Sequence, residues 1–247
     1  MKNLILRIFF ASFVLLFGCG GKESSRPYRI GIDPTFYPLH LRGKEANVFA
    51  FSNEVLREIG HLKKIHFERV NMSWDNLLWG LKEKKYEAIL SAMQPYVFNL
   101  KKYSFSDIYL PTGPVLVVRM GSSIRSLEDL NGKDLAMEET NENLSLLEKY
   151  PQVITHFYQS IPDVLDQLIK GKMEGVLIGG IFAKNYIQDL YDGQMTVVTP
   201  PLTNEGLRLI TLHSQQADLI SLFNEGLEEL KRTGRYKELL FKWNLSY

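Results

Sequence analysis

Short apolar runs alternate with longer amphipathic segments along this chain from residue 28 onward. A short apolar run bounded by polar residues favours a buried strand, and apolar residues spaced three or four apart favour a helix. Strands that alternate with helices predict an α/β fold with a parallel sheet. The predicted strands span residues 28–32, 65–70, 87–91, 115–118, 134–137, 153–157, 175–178, 195–198 and 206–212.

The amphipathic segments predict helices over residues 49–59, 74–82, 161–170, 181–190, 217–231 and 235–243. Gly60 fits a helix stop, and Ser73 fits an N-cap because its hydroxyl can accept a bond from the first turn. The strand 87–91 ends in small and polar residues, Ser91 and Ala92. In an open α/β sheet this end of a strand faces a ligand crevice.

Two clusters of Pro and Gly interrupt the alternation and predict two crossings between lobes. They are Pro111-Thr112-Gly113-Pro114 and Thr199-Pro200-Pro201. We expect lobe 1 to contain residues 28–111 and 204–247, and lobe 2 to be the insert 112–203. The helical residues 217–243 are expected to pack on lobe 1.

The first residues have the pattern of a targeting segment. Lys2 and Arg7 accompany an apolar run over 8–17, which is shorter than the roughly 20 residues that span a bilayer as a helix. The run ends in Gly18-Cys19, which resembles a bacterial lipobox. We therefore expect a lipoprotein signal peptide at 1–18, acylation of Cys19 with palmitate or a similar chain, and a tether over 19–27. The alternative is an ordinary signal peptide with a stray Cys.

Composition excludes some partners. The chain has 29 Lys and Arg against 28 Asp and Glu, a formal net charge of +1. A protein that binds nucleic acid usually has a marked surplus of basic residues, and this chain has none. Cys19 is the only cysteine, so no disulfide can form within the chain and the apolar core must stabilise it. We expect a monomer.

One stretch carries a specific resemblance. Residues 84–109, KKYEAILSAMQPYVFNLKKYSFSDIY, align without a gap to the pattern G-K-Y-D-A-I-I-S-x-M-x-I-T-x-x-R…F-S-x-x-Y. That pattern is typical of solute-binding proteins of polar amino-acid ABC transporters, the extracellular solute-binding proteins of family 3. Further segments resemble the family in the right order: 28–38, 74–78, 126–133, 224–230 and 234–243.

The resemblance implies a two-lobed periplasmic-binding-protein fold of type II, with two Rossmann-like lobes joined by two hinge strands. It implies closure of the lobes around a small polar solute, which is an amino acid, an amine or a short peptide. The closed form would be offered to an ABC permease in the inner membrane. With the lipid anchor, the protein would lie in the periplasm or at the cell surface, without a cofactor.

The same resemblance implies a set of ligand-binding residues, namely Asp33, Phe36, Ser91, Met93, Gln94, Asn99, Glu139, Thr140 and Asn141. Several of them have structural alternatives. Asp33 also suits a turn before Pro34, Phe36 also suits the core, and Ser91 also suits a tight strand end. Thr140 also suits a helix N-cap.

Two positions depart from the family. The Arg that grips the ligand's α-carboxylate falls at Asn99, and the acid that holds the α-ammonium falls at Gly179. An Arg forms a charge-assisted fork that an amide cannot reproduce. Glu138 and Glu139 bias the cleft towards a cation, unless they point to solvent. Arg208 is a possible replacement for the missing Arg.

No catalytic or metal-binding motif is visible. His40, His61, His66, His156 and His213 are scattered, and no phosphate-binding glycine loop occurs. We therefore predict a binding protein rather than an enzyme. Two alternatives stay open: a periplasmic enzyme on the same fold that acts on a small acid, and a sensor or partner-binding domain without transport.

Overall fold

The computed structural model describes residues 26–246 of the chain, and Cys19 with the predicted signal peptide lies outside them. The strands are β1 (Tyr28–Ile32), β2 (Phe67–Asn71), β3 (Ala88–Ser91), β4 (Tyr103–Phe105), β5 (Leu110–Pro111), β6 (Pro114–Arg119), β7 (Asp134–Met137), β8 (Ile154–Phe157), β9 (Gly175–Gly179), β10 (Met195–Val197) and β11 (Gly206–Leu212). The helices are α1 (Glu45–Lys63), α2 (Trp74–Lys82), α3 (Val97–Leu100), α4 (Asn141–Leu147), α5 (Ile161–Ile169), α6 (Gly180–Leu190), α7 (Ala217–Arg232) and α8 (Arg235–Lys242).

The strands form two mixed sheets rather than a purely parallel one. The first sheet has the order β2-β1-β3-β11-β4, with β5 also paired to β11, and the second has the order β10-β6-β9-β7-β8. We call each sheet with its helices lobe 1 and lobe 2. In lobe 1, β1, β2 and β3 are parallel, whereas β11 is antiparallel to β3 and β4. In lobe 2, β7, β8 and β9 are parallel, whereas β6 is antiparallel to β9 and β10.

The expectation of a parallel sheet was therefore wrong for β6 and β11. These strands follow the two crossings, so they enter their sheets from the other lobe and run against the βαβ units. The crossings lie side by side, since the Thr112 N–H donates to the Glu205 carbonyl at 3.0 Å. The carboxyl ends of β1, β3, β7 and β9 consequently face the region between the lobes, where ligands of open α/β sheets bind.

The observed bounds of helix α1 differ from the predicted helix over 49–59. It continues past Gly60 to Lys63, and Lys64 ends it in the left-handed region with φ 56°. The N–H groups of Lys64 and Ile65 close onto the Gly60 carbonyl. A Cβ at Gly60 would lie 2.9 Å from the Ile65 oxygen. Gly60 thus permits a close approach inside the last turn and does not stop the helix.

The hydrophobic cores follow the two lobes. The largest cluster joins β1, α1 and β3 to the C-terminal helices through Leu219, Phe223 and Leu239. Two further clusters cover the two faces of the lobe 2 sheet. Ile181 of α6 is part of the lobe 1 cluster, and its neighbour Phe182 packs against clusters of both lobes, so apolar contact joins the lobes near the crossings. Burial of apolar area contributes about 25 cal/mol per Å² to such contacts.

Candidate ligand-binding site

Asp33 follows β1 at the edge of lobe 1 that faces lobe 2. Its side chain is buried, and Oδ1 accepts from the Thr35 N–H at 2.8 Å and from the Thr35 hydroxyl at 2.7 Å. This is the Asx turn that Asp favours before Pro34. One carboxylate oxygen of Asp33 is therefore engaged within its own loop.

Phe36 is only 2% exposed and packs in the lobe 1 core cluster that also contains Leu41 and Ile181. Its φ of 54° places it in the left-handed region, which is uncommon for a bulky residue. The ring thus contacts apolar side chains where the two lobes meet.

The loop after β3 is held by its own polar groups. The Ser91 hydroxyl accepts from the Met93 N–H at 3.2 Å, and Gln94 Nε2 donates to the Ala92 carbonyl at 3.3 Å. Asn99 Nδ2 donates to the Gln94 carbonyl at 2.8 Å. The Asn99 amide, which the resemblance aligned with the family's Arg, therefore stabilises this loop. The short helix α3 and strand β4, which lie between this loop and β5, were not among the predicted elements.

The corresponding loop of lobe 2 opens α4. Thr140 is its N-cap, with Oγ1 accepting from the Asn143 N–H at 3.1 Å, whereas Glu139 and Asn141 are exposed. Glu138 forms an ion pair with Arg42 of lobe 1, and the Arg42 guanidinium lies 6.0 Å from the centre of the Phe182 ring. Glu138 is thus occupied by a contact between the lobes.

Gly179, where the resemblance led us to expect an acid, lies close to an aromatic ring. A Cβ at this position would lie 3.2 Å from the Phe182 ring and 3.8 Å from the Thr112 carbonyl. A side chain at this position would therefore require the Phe182 ring to shift.

A cavity of about 540 Å³ lies between the lobes beside the second crossing. Of the residues predicted from the sequence, Gln94 and Asn141 line it, together with Tyr96, Glu142 and Glu205. The other predicted residues do not line it. Sequence reasoning missed Glu142 and Glu205. The only local signal for Glu142 was an acid in the first turn of α4, a common position for acids.

The cavity carries two carboxylates. The Tyr96 hydroxyl donates to Glu142 Oε1 across the lobes at 2.8 Å, and this bond raises the pKa of Tyr96. Burial raises the pKa of Glu205, and the charge of Glu142 raises it further. A hydrogen bond from the Thr203 hydroxyl at 2.7 Å lowers this pKa but does not cancel the rise. Lys149 is the one cationic side chain among the described lining residues. The cavity is therefore suited to a positive group.

Arg208 is a partly buried cation beside the cavity between the lobes. It lies opposite Ser91 in the β3–β11 register, and its Nη1 and Nη2 donate to the carbonyls of Ser106 and Asn204 at 3.0 and 3.3 Å. Its Nε is buried without a partner among the described residues, and burial lowers its pKa. No carboxylate in the described part of the chain forms an ion pair with it.

Residues 26–246 lack two features. No helix in this range is both long and apolar enough to cross a membrane. No group of three or more His, Cys, Asp or Glu side chains in it is arranged to hold a metal ion.

Similarity to known proteins now adds to this geometry. Residues 28–246 match the family described as bacterial extracellular solute-binding proteins, family 3. The chain is 26% identical to the arginine-binding extracellular protein ArtP of Bacillus subtilis, with 98% of each chain covered. It is 23% identical to ABC transporter arginine-binding protein 1 of Escherichia coli, with 98% of this chain and 99% of that protein covered.

Solved structures agree on the fold. The unliganded, open L-cystine solute receptor of Neisseria gonorrhoeae matches with a TM-score of 0.67 and 18% identity, covering 90% of this chain and 95% of the other. A substrate-binding domain of an amino-acid ABC transporter from Streptococcus pneumoniae matches with a TM-score of 0.65 and 21% identity, covering 89% and 100%. This is the two-lobed type II fold expected above. The relatives' names describe binding proteins, and this chain belongs to the bacterial extracellular solute-binding proteins of family 3.

Proposed function

We propose that this protein is the solute-binding component of an ABC importer, and that its solute is an amino acid or related amine with a positively charged group. The observation that carries the proposal is the cavity between the lobes, where Glu142 and Glu205 are opposed only by Lys149 among the described lining residues.

A cation suits this cavity for a physical reason. Glu205 is partly buried and its side chain has a hydroxyl, not a cation, as its partner. A buried carboxylate costs free energy unless it is paired, and a guanidinium or ammonium group would pair it through charge-assisted hydrogen bonds. Two relatives named for arginine binding support the same class of solute.

The solute's α-carboxylate would not be held in the family's usual way. Asn99 already donates to its own loop, and Gly179 carries no acid, with the Phe182 ring close to where a side chain would begin. Arg208 has no ion-pair partner in the described chain, and one of its nitrogens contacts Asn204, which lines the cavity. We therefore propose that Arg208 binds a carboxylate of the solute while Glu142 and Glu205 bind its cationic end.

Closure follows from where these groups lie. Gln94 and Tyr96 belong to lobe 1, Glu142 belongs to lobe 2, and Glu205 lies at the second crossing. A solute favours the closed form only through contacts that differ between the two forms. We propose residues 28–111 with 204–247, and residues 112–203, as the two rigid units that rotate about the crossings.

Calorimetry on the purified protein tests the solute class. We expect arginine and agmatine, which is arginine without its carboxylate, to bind, and glutamate not to bind. Glu142→Gln should weaken arginine binding by roughly ten- to a hundredfold, because a charged hydrogen bond contributes about 1.5–3 kcal/mol. Glu139→Gln is the matched control, since it removes the same charge from an exposed position in the same loop.

The carboxylate contact needs its own comparison. If Arg208 binds it, arginine should bind more tightly than agmatine, and Arg208→Met should remove that difference. Tighter binding of glutamate than of arginine would refute the cationic solute. Equal effects of Glu142→Gln and Glu139→Gln would refute the role of the cavity.

The location of the protein is also part of the proposal. Family members are extracellular or periplasmic, and Cys19 after a positive and apolar segment supports a lipid anchor to a bacterial membrane, with a permease as partner. Labelling cells with a fatty-acid analogue tests the anchor. A protein that is unlabelled, or whose label survives Cys19→Ser, would contradict it.

A second candidate is a sensor that signals without transport. It is favoured by the two polar contacts that already join the lobes, Arg42–Glu138 and Tyr96–Glu142. A lobe pair that stays closed in solution without solute, and binds none of the amines tested, would support the sensor over the importer.

A further inference from the structure

A second large concavity lies on lobe 1, outside the region between the lobes. It has a volume of about 880 Å³ and lies between α1, the edge strand β2 and the end of α8. Four Lys or Arg residues line it, Arg57, Lys64, Arg69 and Lys242, against one acid, Glu54. We call it the basic groove. The near-neutral composition of the chain gives no sign of it.

The charge of this groove is only partly neutralised from within. Arg57 and Lys242 both bind Glu54, with N–O distances of 2.8 Å. Lys64 and Arg69 form no ion pair within the part of the chain that the structure describes, although Arg69 lies 5.8 Å from the centre of the Phe49 ring. At least two cationic groups therefore stay available to an external anion.

The groove also lies where the N-terminal tether, residues 19–27, joins lobe 1. The Tyr28 N–H, at the first residue of β1, donates to the carbonyl of the lining residue His66 at 2.8 Å. Lys64 ends α1 two residues before His66. The eight residues from Cys19 to Arg26 are joined by seven steps, which can span at most about 25 Å at 3.3–3.6 Å per step. A lipid on Cys19 would keep this end of lobe 1 close to the membrane surface.

We propose that the basic groove is a docking surface for anionic phospholipid headgroups, which orients lobe 1 on the membrane. Lys and Arg near an anionic leaflet contribute attraction that decays over about a Debye length, roughly 8–10 Å at physiological salt. The proposal uses the lipid anchor proposed above only to explain why the membrane is near. Its test does not require acylation.

The test uses the chain from residue 19 to 247 carrying Cys19→Ser, so that neither the apolar run 8–17 nor an acyl chain contributes. Its partition onto vesicles of phosphatidylcholine is compared with and without phosphatidylglycerol. The groove variant is Lys64→Gln with Arg69→Gln. The control variant is Lys101→Gln with Lys102→Gln, which removes two equally exposed charges between α3 and β4.

We expect phosphatidylglycerol to increase partition of the parent chain and of the control, and added salt to weaken it. In the groove variant the partition onto anionic vesicles should fall roughly thirtyfold, since each basic residue at the surface is worth about 1 kcal/mol. Equal losses in the two variants, or no effect of phosphatidylglycerol, would overturn the proposal.

Two competing occupants give different results. Saturable displacement from the vesicles by inorganic phosphate at constant ionic strength would assign the groove to a small anion and refute docking onto the membrane. Binding only to vesicles that contain the permease would assign it to an acidic protein surface and refute it equally. Solute calorimetry on the same variants, and fatty-acid labelling of the chain with Cys19 intact, are independent of these outcomes, so failure here leaves the solute proposal to its own test.

Discussion

Two glutamates, one in each of the two concavities, have opposite electrostatic environments: Glu54 is buried and Glu205 is partly buried. Glu205, between the lobes, accepts a bond from a Thr203 hydroxyl, and burial raises its pKa. Burial alone would also raise the pKa of Glu54 in the basic groove, but bonds from Lys242 and Trp243 outweigh it and hold that pKa below its usual value. Glu54 is thus paired within the protein, whereas Glu205 lacks a cation.

The comparison separates a structural carboxylate from a candidate ligand-binding one. Pairing of the Glu54 carboxylate stabilises the folded state, and its charge is already neutralised without a ligand. An unpaired, partly buried carboxylate costs stability, and a cationic ligand can recover that cost on binding. The overall net charge of +1 conceals an acidic cavity and a basic groove in the same lobe pair.

The largest expected effect is on stability. Glu54→Gln removes the charge that pairs with Lys242 and Arg57, and it replaces one of the two carboxylate oxygens that accept from these cations and from the Trp243 indole N–H with an NH2 donor. We expect a loss of about 2–3 kcal/mol, below the roughly 3–5 kcal/mol of a fully buried pair because both cations are more than half exposed and can be hydrated. Glu205→Gln should change the free energy of unfolding by under about 1 kcal/mol, since no ion pair is lost. Urea unfolding of both variants measures this, and equal losses would erase the distinction.

The next effect concerns affinity, and the two variants should exchange roles. Glu205→Gln should weaken arginine binding by roughly ten- to a hundredfold, the value of a charged hydrogen bond in the cavity. Glu54→Gln should leave that affinity unchanged at temperatures where it is folded. Calorimetry on the pair decides this. A binding defect in Glu54→Gln alone would place the solute in the groove instead of between the lobes.

A third effect is the dependence of stability on pH, where the two glutamates have opposite signs. The folded pKa of Glu205 is raised, so ionising it disfavours the folded state, and stability falls as pH rises from about 4.3, the unfolded value, through the folded pKa. The folded pKa of Glu54 is lowered, so its stabilisation is present above the unfolded value and is lost as pH falls through the folded pKa.

Melting temperatures of the parent chain and of the two Gln variants, measured across this acid range, separate these contributions. In Glu205→Gln, the loss of stability above about pH 4.3 should disappear. In Glu54→Gln, the loss of stability below this pH should disappear. Arginine binding to the parent should tighten as pH rises, because the bound cation favours ionised Glu205. Identical pH profiles for all three proteins would contradict both assignments.

The sequence predicted the fold well because its signals are local. The apolar run that became β3 and the amphipathic run that became α2 need only neighbouring residues to be recognised. Gly60 was misread because its role depends on Ile65, which closes onto its carbonyl. The antiparallel entry of β6 and β11 follows from crossings between lobes, which a strand pattern alone does not reveal.

The site was less predictable because it depends on contacts between distant segments. Tyr96 and Glu142 are 46 residues apart and meet only when the lobes face each other. Glu205 lies in a loop that periodicity does not describe. Family resemblance identified the loops that hold Gln94 and Asn141, which line the cavity, but it could not identify the acids next to them. The basic groove likewise combines α1, β2 and α8, whose charges are unremarkable when counted along the chain.

The smallest expected effect is on the contact between the lobes at the acidic cavity. Tyr96→Phe removes the one hydroxyl that bonds Glu142, a neutral-to-charged bond worth about 1–1.5 kcal/mol when partly exposed. The population of the closed form without solute should therefore fall up to about tenfold relative to the open form. The radius of gyration from X-ray scattering should rise slightly. Tyr37→Phe is the control, because this exposed ring packs on Trp74 within lobe 1. A rise in both variants, or in neither, would mean that the apolar contact of Ile181 with the lobe 1 core, and not Tyr96, sets how closely the lobes approach.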